Sequence, residues 1–170
     1  MRPRQPLPRL WLMTDERQGD ALWAALERLP RGAGVVFRHY GAADRRPVYQ
    51  RVRRVARRRG LVLVVAGEER LPGADGVHNR RGAGLRTGAA HWVAELRRRE
   101  RDGTDMVFVS PVFATRSHPG GSGLGPVRFG LIARLARVPL IALGGMDAVR
   151  FRRLRGLGAH GWAAIDAWSS

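Results

Sequence analysis

Apolar residues gather into short runs at positions 10–13, 34–37, 61–65, 75–78, 106–109, 139–143 and 161–165, separated by polar and glycine-rich stretches. The runs are rich in Val, Leu and Phe and lack strict alternation, the pattern of strands buried on both faces in a parallel sheet. Between several of them the period changes to that of a helix. Ala21, Leu22, Ala25, Leu26 and Leu29 form one apolar stripe, and Val48, Val52 and Val55 form another. Segments 91–101, 129–136 and 148–154 have the same character. Strand–helix alternation from end to end predicts an α/β fold.

Two such folds compete. An open doubly wound sheet places a glycine-rich nucleotide loop after its first strand, and the MTDERQGD that follows here is not glycine-rich. A closed barrel instead spreads functional groups over the carboxyl-terminal ends of many strands. Thr14-Asp15, Arg38-His39, His78, Ser110-Pro111 and Gly144-Gly145 are spread in that way, which predicts a (β/α)8 TIM barrel. The 170 residues are few for that fold, which commonly takes about 250. Segments 66–74 and 79–88 are too short for a full helix, and little chain follows Ile165. The expectation is a shortened barrel lacking up to three outer helices. Its apolar wall would be covered by a second copy of the chain or by repacked tails. Residues 1–9 are expected to be an N-terminal tail and 10–170 a single barrel domain.

Composition sharpens this picture. Lys+Arg is 31 against Asp+Glu at 14, a net charge of +17, and every one of the bases is arginine. Asparagine occurs once and isoleucine three times, so the residues with AT-rich codons are depleted together. Coding bias therefore explains part of the charge. The arginine runs at 51–59 and 97–101 fit solvated helix faces, with RNA or anionic-surface binding as the alternative. Aromatics do not interleave them, so nothing supports sequence readout. Absence of cysteine excludes disulfides, thiolate metal sites and a cysteine nucleophile. Absence of lysine excludes a Schiff base and a Walker-type phosphate loop. The apolar stretch at 10–13 is too short for a signal segment or membrane span, so a soluble, cytoplasmic protein is expected.

Three segments, GADGVH (73–78), SPVFATRSHPG (110–120) and VPLIALGGMDA (138–148), resemble the thiamine phosphate synthase/TenI family. The opening LWLMTD also resembles that family's first strand, and the match runs in order from residue 10 to 168. The resemblance implies a (β/α)8 barrel whose ligands are phosphorylated heterocycles. The synthase branch joins a pyrimidine methyl diphosphate to a thiazole phosphate and releases pyrophosphate with Mg2+. The TenI branch includes a metal-free thiazole tautomerase.

By that resemblance Arg38 meets a diphosphate, and Thr115 and Ser117 donate to pyrophosphate. His118 stands where the family has lysine, and the Gly144 and Gly145 amides receive the thiazole phosphate. The family's metal carboxylates fall on Ala66-Gly67 and within 78–81, where no carboxylate stands, so the Mg2+ ligands are absent and no metal ligand is assigned. Ala89 replaces the synthase serine, leaving His91 nearby. The tautomerase histidine falls on Pro111, and Asp166 replaces the serine of the last strand.

Four histidines (His39, His78, His91 and His118) follow strand ends and would share one rim, with His160 at the opposite end. His91 and His118 are the catalytic candidates. Arg38, His39, Thr115, Ser117, Gly144 and Gly145 are the candidates for binding phosphate and substrate. His78 also fits a structural role. Thr115 to Ser117 also fit plain turn chemistry, and Asp15 fits a helix cap. Trp92, Trp162 and Trp168 fit core or interface aromatics. A thiamine phosphate synthase-like protein of thiamine biosynthesis, weak or altered as a transferase or tautomerase, is therefore expected. The alternatives are a non-catalytic or regulatory binder of phosphorylated ligands and, less favoured, an arginine-rich RNA or anion binder.

Overall fold

Parallel strands close on themselves in chain order. They are β1 (Leu10–Met13), β2 (Gly34–Phe37), β3 (Val62–Ala66), β4 (Gly76–His78), β5 (Leu85–Ala90), β6 (Met106–Val109), β7 (Leu140–Leu143) and β8 (Ala159–Ala164). Pairing of β1 with β8 completes the ring. The structure, a computed structural model, describes residues 6–114 and 123–168. Five α-helices lie among them: α1 (Ala21–Arg28), α2 (Arg45–Arg59), α3 (Val93–Arg101), α4 (Gly125–Leu135) and α5 (Ala148–Arg152). The expected (β/α)8 barrel is what the chain forms. No helix among the described residues is long and apolar enough to cross a membrane.

Both faces of the strands are buried, which is why the sequence shows apolar runs rather than alternation. Trp11, Met13, Val36, Val64, Met106, Phe108, Ile141 and Ala163 pack together inside the barrel. Their neighbours Leu12, Val35, Phe37, Leu63 and Val65 pack outward with Leu22 and Leu26 of α1 and Tyr49 and Val52 of α2. Val107, Val109, Leu140 and Ala142 do the same against Leu96 of α3 and Phe129 and Ile132 of α4. Inside, the Trp11 indole meets the Phe108 ring edge-on, with centroids 5.2 Å apart. Gly34 faces that indole, and a Cβ on it would overlap the six-membered ring.

One strand corrects the sequence expectation. The stretch 79–88 was expected to be a connection, yet Leu85–Ala90 is β5, paired with β4 and β6. Its sequence, LRTGAA, carries no apolar run. Its place between two parallel neighbours supplies the pairing that propensity does not.

Two connections lack helices as expected: residues 67–75 and 79–84 contain none. The chain's own loops cover the wall instead. Leu71 is buried in the cluster that holds α2, and the Tyr49 hydroxyl donates to the Pro72 carbonyl at 3.0 Å. Over β4, a Cβ on Gly82 would lie 2.8 Å from Val77, so bare loop backbone lies on the strand. After β8, Trp168 stacks on Trp162 with centroids 4.7 Å apart. Residues ahead of β1 close the amino-terminal end: Leu7 packs on the interior cluster, Trp11 Nε1 donates to the Pro8 carbonyl at 3.0 Å, and the Trp162 amide donates to the Arg9 carbonyl at 2.8 Å.

Gly34→Ala is expected to destabilise the fold by about 1–3 kcal/mol, because the added methyl must displace the enclosed Trp11 ring. Urea unfolding measures this, and an unchanged midpoint would show that the barrel interior has slack.

Candidate active site at the carboxyl-terminal rim

The rim begins where β1 ends. Asp15, extended at φ −143°, caps the short 3-10 turn Glu16–Gln18 in a reciprocal capping box. The Arg17 amide donates to its Oδ1 at 3.0 Å, and its own amide donates to Gln18 Oε1 at 2.8 Å. Gln18 Nε2 donates to the Ile165 carbonyl at 2.7 Å and so joins this turn to the end of β8. Two guanidiniums share the Asp15 carboxylate, Arg17 at 2.7 Å and Arg38 at 3.4 Å. Hydrogen bonding from Arg17, helped by the charge of Arg38 and opposed by burial, holds the Asp15 carboxyl down at about 2.

Arg38 leaves the end of β2 half-buried. Its amide donates to Thr14 Oγ1 at 3.0 Å and its Nε donates to the Thr14 carbonyl at 2.9 Å. Burial pushes its guanidinium below the ordinary arginine value, and the charge of Asp15 opposes that. His39 turns the other way. Its ring is buried, stacked on Phe37 with centroids 4.9 Å apart, and its Nδ1 lies 3.0 Å from Thr14 Oγ1. Burial also lowers the pKa of His39.

Arg45, the first residue of α2, lies beneath this corner. It is buried and donates to the carbonyls of Arg38 (2.8 Å), His39 (2.6 Å) and Ala66 (2.6 Å), while its Nε pairs with Glu69 at 3.1 Å. One guanidinium thus fastens the ends of β2 and β3. Nothing in the sequence set Arg45 apart from thirty other arginines, since its partners are carbonyls and a glutamate 24 residues away.

On β4, His78 is buried inside the barrel mouth. Its Nδ1 lies 2.9 Å from Thr87 Oγ1, and its ring meets Phe108 edge-on. Burial, reinforced by the positive fields of Arg38 and Arg99, pushes His78 down to about 3, so its imidazole is neutral at neutral pH. Across the rim, His91 is exposed. Its Nδ1 lies 3.0 Å from Glu95 Oε2, and its amide donates to the same oxygen at 2.6 Å, closing the first turn of α3. Trp92 beside it is 59% exposed, so it is not a core residue. Trp162, by contrast, is in the core with Trp168 packed on it.

After β7, Gly144 and Gly145 both take positive φ, 95° and 58°. A Cβ at Gly144 would press on Pro111, and one at Gly145 on the Ala114 carbonyl. The Arg150 guanidinium donates to the Gly145 carbonyl and lies over the Phe113 ring, 5.3 Å from its centroid. The candidates Thr115, Ser117 and His118 lie outside the described residues. Arg38, His78, His91 and the two glycines stand at the ends of four different strands, β2, β4, β5 and β7, on one rim, and His39 sits buried behind it. Among the described residues, no three His, Asp or Glu side chains gather as a metal would need. Asp15 is held by Arg17 and Arg38, and Glu69 by Arg45 and Arg46. These carboxylates do not fit a divalent cation.

Two outcomes are expected of this corner. Arg45→Met should cost about 3 kcal/mol in urea unfolding, because three carbonyls and Glu69 lose their donor. Arg45→Lys should recover only part of it, since an ammonium lacks the planar fork. For His78, neutral in the folded chain and titrating near 6.5 when unfolded, the stabilisation is complete above pH 6.5 and is lost as pH falls toward about 3. The unfolded chain takes up the proton that the folded one refuses. His78→Asn should therefore flatten the decline in stability between pH 6.5 and about pH 4 by up to about 1.4 kcal/mol per pH unit. An equal slope in both proteins would show that another group sets the decline.

Known proteins share this architecture and sequence. The thiamine monophosphate synthase family profile matches residues 82–168, half of the chain. Thiamine-phosphate synthase of Chloroflexus aurantiacus is 30% identical, over 94% of this chain and 84% of that protein. Thiamine-phosphate synthase of Methylococcus capsulatus is 28% identical, over 95% of this chain and 82% of that one. Among solved structures, thiamine phosphate pyrophosphorylase from Pyrococcus furiosus superimposes with a TM-score of 0.77 at 21% identity, over 95% of this chain and 88% of that one, a likeness of fold. The chain, a closed parallel barrel with these relatives, belongs to the thiamine monophosphate synthase family.

Proposed function

We propose that the rim holds a phosphorylated pyrimidine or thiazole and that synthase turnover is weak or absent. The observation that carries this is Arg38: a half-buried cation fixed at the barrel mouth by Thr14 and Asp15, beside a neutral His78. After β7, the amides of two successive glycines at positive φ would receive an anion. Phosphate sites near the last strands are common in this fold. Thr115 and Ser117 would add hydroxyl donors from the loop after β6. His118 and His91 would be the rim groups able to move a proton, with His91 positioned by Glu95. His39, buried against Phe37, would support Thr14.

In synthase chemistry the bond from the pyrimidine methylene carbon to diphosphate breaks as the thiazole nitrogen bonds to that carbon. Negative charge grows on the departing diphosphate, where Arg38 would meet it. The relatives named as synthases support this substrate class for the rim. The Mg2+ that the family resemblance implies finds no fitting carboxylate set among the described residues, so no step is assigned to it. The same loss of carboxylates favours a binder of phosphorylated ligands over an efficient enzyme.

Thiazole phosphate, thiamine phosphate and diphosphate should each raise the melting temperature of the full chain, as any ligand specific for the folded state does. Arg38→Gln should weaken them about tenfold or more, the loss of one charge-assisted contact to phosphate. Absence of stabilisation by all three would overturn the rim as a phosphate site. Robust Mg2+-dependent formation of thiamine phosphate from the two substrates would overturn the weak-turnover reading.

A further inference from the structure

A second cationic site lies at the opposite, amino-terminal end of the barrel. A cleft of about 1270 Å³ opens between the starts of β3 and β5, the end of α2 and residues 6–9. Among the described residues its lining includes five arginines against two carboxylates. Both carboxylates have an oxygen committed to the barrel itself: Asp75 Oδ2 accepts the Leu63 amide and Asp105 Oδ2 accepts the Arg86 amide, each at 2.8 Å. Guanidiniums gathered around a concave wall repel one another unless an anion joins them.

Three of these arginines lie against glycines, Arg53 and Arg86 half-buried and Arg31 exposed. Arg31 lies over Gly60, where a Cβ would come within 3.1 Å of its Cζ. Arg86 lies over Gly103, where a Cβ would come within 3.0 Å of its NH2. Arg53 occupies the space a Cβ on Gly73 would take, and its Nε donates to the Gly73 carbonyl at 3.3 Å. All three glycines have positive φ, of 66°, 72° and 79° in the order Gly60, Gly103, Gly73. A side chain is therefore disfavoured there on two counts, the backbone conformation and the arginine above it. Guanidiniums placed in this way lose less freedom when they close on a ligand, and their planar forks match phosphate oxygens.

We infer that this cleft binds an oligophosphate chain, at a site separate from the rim that Arg38 serves. Inorganic triphosphate and the triphosphate of a nucleotide present the same chemistry, and the apolar starts of β3 and β5 offer a nucleotide's base a surface that inorganic triphosphate would not use.

Isothermal titration of the full chain at about 0.15 M salt, where diffuse surface attraction is screened, tests this with inorganic triphosphate and ATP in parallel. Arg31→Gln with Arg53→Gln should weaken both about tenfold or more. Arg128→Gln with Arg134→Gln, on α4 and outside the cleft, should change them less than about twofold. Tighter binding of ATP than of inorganic triphosphate would identify a nucleotide as the occupant, and equal binding the bare phosphate chain. Equal losses from the cleft and α4 pairs, loss through Arg38→Gln alone, or no binding by the wild-type chain would each overturn the site. Should the cleft pair fail to fold, Arg57→Gln, an exposed α2 position on the same wall, replaces it with the same expected direction.

Discussion

A parallel sheet must be covered on both faces, and among the described residues that requirement is met with fewer helices than strands. Eight short strands close around Trp11, Met106, Phe108 and Ile141, and the outward faces of β1, β2, β3, β6 and β7 rest on helices. Where connections are too short for a helix, backbone and single side chains take its place. Leu71 covers the wall beside α2, Gly82 lies on Val77, and Trp168 lies on Trp162. Closing the ring satisfies the edges of every strand, so even β5, with almost no strand-forming residues, is held in register.

The same closure makes the rim an electrostatic unit. Strand ends converge there, and arginine is the residue that joins them. Arg45 satisfies carbonyls from β2 and β3, Arg38 bonds to the end of β1, and Asp15 is shared between Arg17 and Arg38. An acid held by two guanidiniums serves as their counter-charge, which leaves it poorly suited to a divalent metal. The rim carboxylates Asp15 and Glu69 are thus each paired with arginine.

The net charge of +17 divides into parts with different fates. Arg45 is structural, Arg38 faces the mouth, and Arg31, Arg53 and Arg86 lie on glycines at the other end. Arg51 covers Trp23, 3.8 Å from the ring centroid, and Arg58 pairs with Glu27 on the surface. The arginine-rich face of α2, expected to be a solvated surface or an RNA- or anion-binding one, is therefore partly a packing surface, because the long apolar stem of arginine covers its neighbours.

Hydrophobic pattern alone determined the fold class, seven of the eight strands and the places where helices are missing, because runs buried on both faces and connection lengths are local properties. It determined which residues stand at the ends of those seven strands, hence that Arg38, His78, Gly144 and Gly145 occupy one rim. Tertiary structure decided what each of them does there. His39 and Arg38 are adjacent in the chain, yet one is stacked on Phe37 and the other fixed at the mouth, since neighbours on a strand face opposite sides. Arg45 and β5 were legible only in three dimensions, because their partners come from other strands. The amino-terminal cleft depends likewise on separate segments, among them Arg31, Arg57, Asp75, Arg86 and Asp105, that only barrel closure brings together.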